Sequence, residues 1–365
     1  MPGNWDYAYG TDQLFSLLSR ASIPALTMNA SSTSAKQIPF QSYMMKEVGG
    51  IKVGLTGWTY PFVDQTMPPF FSEGLIFTLD VEEMKAVIQR LRVGHKADLV
   101  VVISHMGLPL DVKAASLIDG IDIILSGHRH DRIAKPIRQN GTWIIQSGAS
   151  ASFLCQLDLT FEYGKITNVR HRLIPLLSDQ FEEDPDLSLL IKKIMQPYET
   201  QLNEVIGELK TPLHRMTLNE TPMDCLITDA YLHAAEADIA LSHGWRYGAP
   251  GRMTVKDLYQ IIPTNPELFT VELDGQSILK AFEANLEQVF SPDPFQQKGG
   301  YVLRSSGITM AYKPYNPKGN RIEHFLVRGN SAKKKLELHA HKAIKHFFAD
   351  HKIVEIGESP HIFCI

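Results

Sequence analysis

Cysteine is scarce: Cys155, Cys225 and Cys364 are the only three in 365 residues, widely spaced and in no Cys-x-x-Cys pair. That excludes a disulfide framework and a thiolate zinc site as organising features. No run of eighteen apolar residues occurs, so no helix that spans a bilayer is expected. Neither charge dominates, with 36 Lys plus Arg against 40 Asp plus Glu, and nothing global recommends a nucleic-acid polymer or an anionic membrane as partner. The opening Met1-Pro2-Gly3-Asn4-Trp5-Asp6 has no basic stretch followed by an apolar one. The sequence as it stands therefore carries no secretory signal, and a native start at Met1 implies a cytoplasmic protein.

What remains is an ordinary globular composition, 44% hydrophobic and 21% charged, long enough for two domains with cores of their own. Between residues 11 and 176 strand-like apolar runs alternate with amphipathic segments, the pattern of α/β layers. Strands are expected at 51–58, 97–104, 121–126 and 143–146, and helices at 11–21, 81–93 and 110–117. Residues 177–204 turn acidic and then show helical apolar spacing at Leu187, Leu190, Ile191, Ile194 and Tyr198, which predicts a linker helix. From about 205 to 365 a second α/β domain is expected, with helices at 223–235, 254–261 and 276–289 and strands at 238–242, 268–273 and around 301–312. The run Lys333-Lys334-Lys335 reads as a solvated face.

The chemistry concentrates in Ser104-His105-Met106-Gly107 and, one strand later, Ser126-Gly127-His128-Arg129-His130. Both follow strand carboxyl ends, where open α/β sheets place their sites. Imidazoles on turns held by buried strands can converge on a cation, and Gly107 and Gly127 permit the sharp exits. His339, His341, His346 and His351 are as numerous, but they sit on a lysine-rich amphipathic segment with no carboxylate or turn to fix them, so surface histidines are expected there.

These two segments resemble the late metal-binding motifs of the metallophosphoesterase/5′-nucleotidase family, and Gly3-Asn4-Trp5-Asp6 resembles its Gly-Asn-His-Glu/Asp motif. The resemblance implies a metallophosphoesterase α/β sandwich over 1–176, of which the C-terminal half is present, followed by a 5′-nucleotidase-type C-terminal domain over 205–365. It implies that Asn4, His105 and His128 bind one cation and that His130 belongs to a second. The remaining ligands, an Asp-x-His and a bridging Asp, lie upstream of the Asn motif in the family. With three residues before Asn4, the expectation is a partial catalytic domain with one site retained, manganese or zinc being the family's usual metals. Trp5 and Ala8 stand where the phosphoesterases carry a His-Asp dyad.

Within the family the SoxB sulfur-oxidation branch is the most similar. The likeness rests on Trp5 with Tyr9-Gly10, Gly57-Trp58-Thr59-Tyr60-Pro61-Phe62, Arg172-Leu173-Ile174-Pro175, Met223-Asp224-Cys225-Leu226-Ile227-Thr228-Asp229-Ala230 and Ser291-Pro292-Asp293-Pro294-Phe295-Gln296-Gln297-Lys298-Gly299-Gly300. It implies release of sulfate from a thiosulfonate on a sulfur-carrier protein arm, an exported or periplasmic setting for intact members, and impaired turnover in a chain without the upstream ligands. Ser242-His243-Gly244-Trp245-Arg246-Tyr247-Gly248 falls where the family's second domain presents an arginine to substrate. Arg246, with His243 and Trp245, is thus the expected oxyanion-binding group, since a guanidinium fork matches phosphate or sulfonate. Two other readings stand beside this one: a nucleotidase or 2′,3′-cyclic-nucleotide phosphodiesterase, with Phe269, Phe282 and Phe295 as base-clamp candidates, and a non-catalytic truncated relative.

Overall fold

The computed structural model describes residues 1–34, 40–214, 219–242, 251–327, 338–356 and 362–364. The chain divides into two compact units, Met1–Glu182 and Glu183–Ile365, so the 177–204 segment lies mostly with the second. Among the described residues no helix is long and apolar enough to cross a membrane.

The first unit is built on a six-stranded sheet. Its strands are β1 (Tyr43–Val48), β2 (Ile51–Trp58), β3 (Leu99–Ser104), β4 (Ile123–Leu125), β5 (Ile137–Gln139) and β6 (Thr142–Ile145), in the order β1-β2-β3-β4-β6-β5. The central β2, β3, β4 and β6 run parallel, and antiparallel β1 and β5 close the edges. β3 reads Leu-Val-Val-Val-Ile-Ser and is buried along nearly all its length, the continuous apolar run that a parallel strand covered on both faces requires. Helices α1 (Thr11–Arg20), α2 (Val81–Gln89) and α3 (Leu108–Leu117) accompany the sheet, and a hairpin of β7 (Phe153–Glu162) and β8 (Lys165–Pro175) follows it. Asp80 caps α2 by accepting from Glu82 and Glu83 N–H, which satisfies two of the first turn's orphan donors. The expected 81–93 helix loosens at Arg90–Gly94 into a wider π-type turn.

The second unit opens with α4 (Pro185–Met195), capped by Asp184 and with no buried residue. Strand β9 (Val205–Leu209) pairs with β11 (Arg252–Thr254), and β10 (Ala240–Ser242) with β12 (Arg304–Ser306). β13 (Ile308–Tyr312) pairs with β14 (Ile322–Val327). Helix α5 (Pro222–Ala235) is set by a Thr221 cap and Pro222 at its first position. With α6 (Val255–Ile261) and α8 (Ala340–Asp350) it contributes to one apolar core: Met223, Leu226, Leu258, Ile344 and Phe348. α7 (Gly275–Phe290) packs Phe282 and Leu286 against Val302, Ile308 and Tyr312 in another.

Two expectations need correction. The strand expected at 268–273 is confined to Glu267–Leu268, paired with Leu338–His339. Its next rung would engage residue 337, outside the described residues, and Phe269, Val271 and Leu273 are exposed. The surface reading of the C-terminal histidines holds for His339, His346 and His351 but fails for His341. That side chain is buried at the start of α8, its ring 2.6 Å from the Ile262 carbonyl, and burial holds its pKa below the ordinary value.

Candidate metal centre

The candidate site forms at the carboxyl ends of β2, β3 and β4. The ladder between β2 and β3 runs on past the strands, with His105 N–H donating to Trp58 O at 2.7 Å, so His105 leaves the sheet at a fixed point. One strand over, Ser126 N–H donates to Ile145 O at 2.8 Å and the Gln146 amide donates to Gly127 O at 2.6 Å, pinning the turn that carries His128. Gly107 adopts φ +101 directly after the first turn; a side chain there would crowd Arg129 and His128. His128 and His130 themselves take φ +71 and +61, a region that costs an L-residue about 1–2 kcal/mol and that survives where surrounding structure over-determines it.

The third part is a 3-10 turn, Asn4–Tyr7. Asp6 accepts from Gly3 N–H at 2.6 Å, and Thr59 ties the turn to the end of β2 by donating to Pro2 O while bonding Tyr7 Oη. Thr59 is in turn held by buried Asn29, which accepts from its N–H and donates to its carbonyl. The chain is thereby placed so that Asn4 Oδ1 lies 3.1 Å from His105 Nε2. The Asn4 amide N–H₂ is directed at Met67 Sδ, 3.8 Å away, which leaves the oxygen turned toward the histidine.

His105 and His128 stand edge to face with ring centroids 5.1 Å apart. His128 also stacks on Tyr60 at 4.3 Å and 26°. Burial pushes His105 down to about 4, with Asp6 opposing and His130 adding to the fall. At neutral pH it is therefore the uncharged imidazole a cation requires. Burial likewise pushes Tyr60 up to about 12 and leaves it a neutral phenol.

Asn4, His105 and His128 are thus brought together, while His130 is exposed at the edge of the cluster. Arg246, His243 and Trp245 lie outside the described residues, as does Lys333-Lys334-Lys335. Among the described residues no group of three or more His, Cys, Asp or Glu side chains could hold a metal ion. A cation here would therefore rest on one amide oxygen and two neutral imidazoles, a donor set suited to a borderline divalent ion. Trp5 is half-exposed and packs edge-on to Phe71. Of the aromatic candidates, Phe282 is core, Phe269 is exposed and Phe295 is half-buried.

Three residues have a part in the site that the sequence reading did not assign. Tyr60, the stacking partner of His128, was legible only as part of a strand-end motif. Gly3 is required by space, because a Cβ there would stand 2.8 Å from the His105 ring. Asp111 is fully buried, accepts from Ser104 Oγ at 2.5 Å and is pushed up to about 7 by burial. Its signal was available: α3 buries Leu110, Asp111, Ala114 and Ala115, and a carboxylate on such a face is out of place.

Residues 205–340 match the model of the 5′-nucleotidase C-terminal domain. Across the chain, the protein UshA of Yersinia enterocolitica is 24% identical, covering 81% of this chain and 64% of its own length. An apyrase of Tabanus yao is 27% identical over 77% of this chain and 56% of its own length. The chain therefore spans less than two thirds of the length of these curated relatives. Among solved structures, the sulfate thiohydrolase SoxB of Thermus thermophilus superposes with a TM-score of 0.92 at 28% identity, over 99% of this chain and 72% of that one. A 5′-nucleotidase precursor, also of Thermus thermophilus, gives a TM-score of 0.86 at 21% identity, over 100% and 82%, a likeness of fold. A C-terminal domain that matches a family model, relatives along both units and a shared fold agree: the chain is similar to 5′-nucleotidases and to the sulfate thiohydrolase, with a metallophosphoesterase-type fold.

Proposed function

We propose that the protein acts as a metal-dependent hydrolase that releases sulfate from a thiosulfonate carried on a protein arm, with manganese or zinc held by Asn4, His105 and His128. The observation that carries the metal-dependent part is the convergence of an amide oxygen and two imidazoles at the ends of adjacent parallel strands. Support for the sulfur substrate is the likeness to the sulfate thiohydrolase, together with the segments around Trp58 and Pro292 that resemble the SoxB branch. Bound there, a divalent cation would polarise a sulfonate oxygen and offset the charge that builds there as water adds to the sulfur and the S–S bond breaks to leave the carrier thiol.

The chain's own residues prepare that site. Burial keeps His105 unprotonated, the Tyr60 ring fixes the plane of His128, and Met67 orients the Asn4 amide. Arg246, with His243 and Trp245 beside it in sequence, is proposed to bind the tetrahedral oxyanion through paired guanidinium donors. An exported or periplasmic setting belongs to the same reading.

A nucleotide or 2′,3′-cyclic nucleotide is the second reading, favoured by relatives named 5′-nucleotidase in Vibrio vulnificus and apyrase in Tabanus yao. One experiment separates the two: metal-loaded protein is offered a thiosulfonate-bearing carrier peptide and a panel of nucleotides, with sulfate and phosphate release measured. Sulfate release that requires the carrier supports the proposal. Phosphate release from nucleotides without sulfate release selects the second reading, and inactivity on both with no bound metal selects a non-catalytic relative.

A further inference from the structure

Behind the two histidine turns lies a buried carboxyl that the proposed chemistry does not use. Asp111 stands in the first turn of α3 and is wholly inaccessible to solvent. Ser104, the residue before His105, donates its hydroxyl to Asp111 Oδ1 at 2.5 Å and accepts Met106 N–H at 3.1 Å. Ser126, two residues before His128, stands close enough to the same carboxyl to hold its pKa down against the effect of burial. Asp111 Oδ2 and Ser126 Oγ are both buried, and neither has a hydrogen-bond partner among the described residues.

Burying a carboxyl without use is expensive, at about 1–3 kcal/mol for an unsatisfied polar group and more if charged. A helix-cap role alone does not account for the position. An acidic residue in a first turn can serve the helix dipole without burial, as the exposed Glu82 and Glu83 of α2 do. Asp111 instead bonds the hydroxyl of the residue before His105 and stands close to that of Ser126. One carboxyl thereby holds the end of β3 and lies near the end of β4.

We propose that Asp111 is a positioning residue that braces Ser104 and Ser126 together and so sets the spacing of His105 and His128 for a shared cation. The inference rests on reading those histidines as ligands, but the Ser104–Asp111 bond is present without metal. Outer groups of this kind are typically worth 10–100-fold in metal affinity, because they hold the ligating rings in orientation.

The test uses the full chain and two readouts, Mn²⁺ affinity by calorimetry and the imidazole ¹⁵N signals of the metal-free protein. Asp111→Ala is expected to weaken Mn²⁺ about tenfold or more and to shift the signals of His105 and His128 while leaving those of His341, in the other unit, in place. Asp111→Asn keeps an acceptor and gains a donor, and it is expected to stay within about threefold of the parent. If Asp111→Ala does not fold, Ser126→Ala decides, with a smaller loss of affinity and His128 moved more than His105. A folded Asp111→Ala, or in its place Ser126→Ala, with unchanged histidine signals and unchanged affinity would overturn the proposal, as would an Asp111→Asn as impaired as Asp111→Ala. Should the parent itself take no Mn²⁺, the cation reading fails, and the histidine signals alone uphold or overturn the brace.

Discussion

Asn4 Oδ1 and His105 Nε2 meet at 3.1 Å across 101 positions of sequence, and one of the two lone pairs must carry a proton between them. The acceptor is an amide oxygen, so the proton sits on Nε2, where a cation would replace it. Asn4→Ala removes one donor of three and is expected to weaken Mn²⁺ at least tenfold. Asn4→Asp should strengthen it, since a carboxylate adds charge as well as a lone pair. Calorimetric titration of both variants checks the pair, and an Asn4→Asp weaker than the parent would place the cation elsewhere.

Gly3 tests the same geometry by volume alone. Its backbone, φ −92 and ψ 173, is open to any residue, so alanine introduces no backbone strain. The added Cβ would nevertheless stand 2.8 Å from His105 Cε1 and Nε2, and that ring must move. Gly3→Ala is therefore expected to lose about tenfold in Mn²⁺ affinity with the melting temperature within a few degrees of the parent. Unchanged affinity would mean the ring can swing without leaving its ligand position.

What the sequence made legible follows from which forces are local. β3 could be read because a covered parallel strand must be continuously apolar. The histidine turns were legible because glycine next to histidine at a strand end has few other uses. The stacking of Tyr60 on His128 and the reach of Asp111 to Ser104 depend on side chains far apart in sequence, which no spacing rule encodes. His341 was misplaced for the converse reason: the lysines around it advertise a surface, whereas its own position turns it inward against the Ile262 carbonyl.

The second unit offers a prediction on stability. Arg304 Nε lies 3.1 Å from Asp224 Oδ2, with both side chains inaccessible. Breaking a buried pair by removing one partner typically costs about 3–5 kcal/mol, because the survivor is a charge without its counter-ion. Arg304→Met should fall in that range. Adding Asp224→Asn, which keeps the acceptor that Thr221 N–H and Oγ use, should recover part of the loss. Hydrogen exchange of α5 amides in urea isolates this unit, and strictly additive losses would mean the two charges do not depend on each other.

Asp111 also predicts a pH dependence of definite sign. Burial raises its carboxyl from 3.8 to about 7 in the folded protein. Between those values the folded state holds a proton that the unfolded state has released, so this group's contribution to stability is complete below about pH 4 and is lost as pH rises toward 7. His105 works in the opposite direction, since its folded pKa is depressed to about 4 and its contribution is lost as pH falls below about 6.5. Bulk stability of the first unit therefore mixes the two, and a comparison that cancels His105 is needed. Asp111→Asn provides it: the amide cannot titrate, and both proteins retain His105. The stability of Asp111→Asn relative to the parent should climb from about pH 4 to about pH 7, at no more than about 1.4 kcal/mol per pH unit, and level off above. Urea unfolding followed through exchange of α3 amides at four or five pH values measures this difference. A flat difference across that window would mean that Asp111 ionises normally inside the fold and that its burial is relieved by contacts other than Ser104 and Ser126.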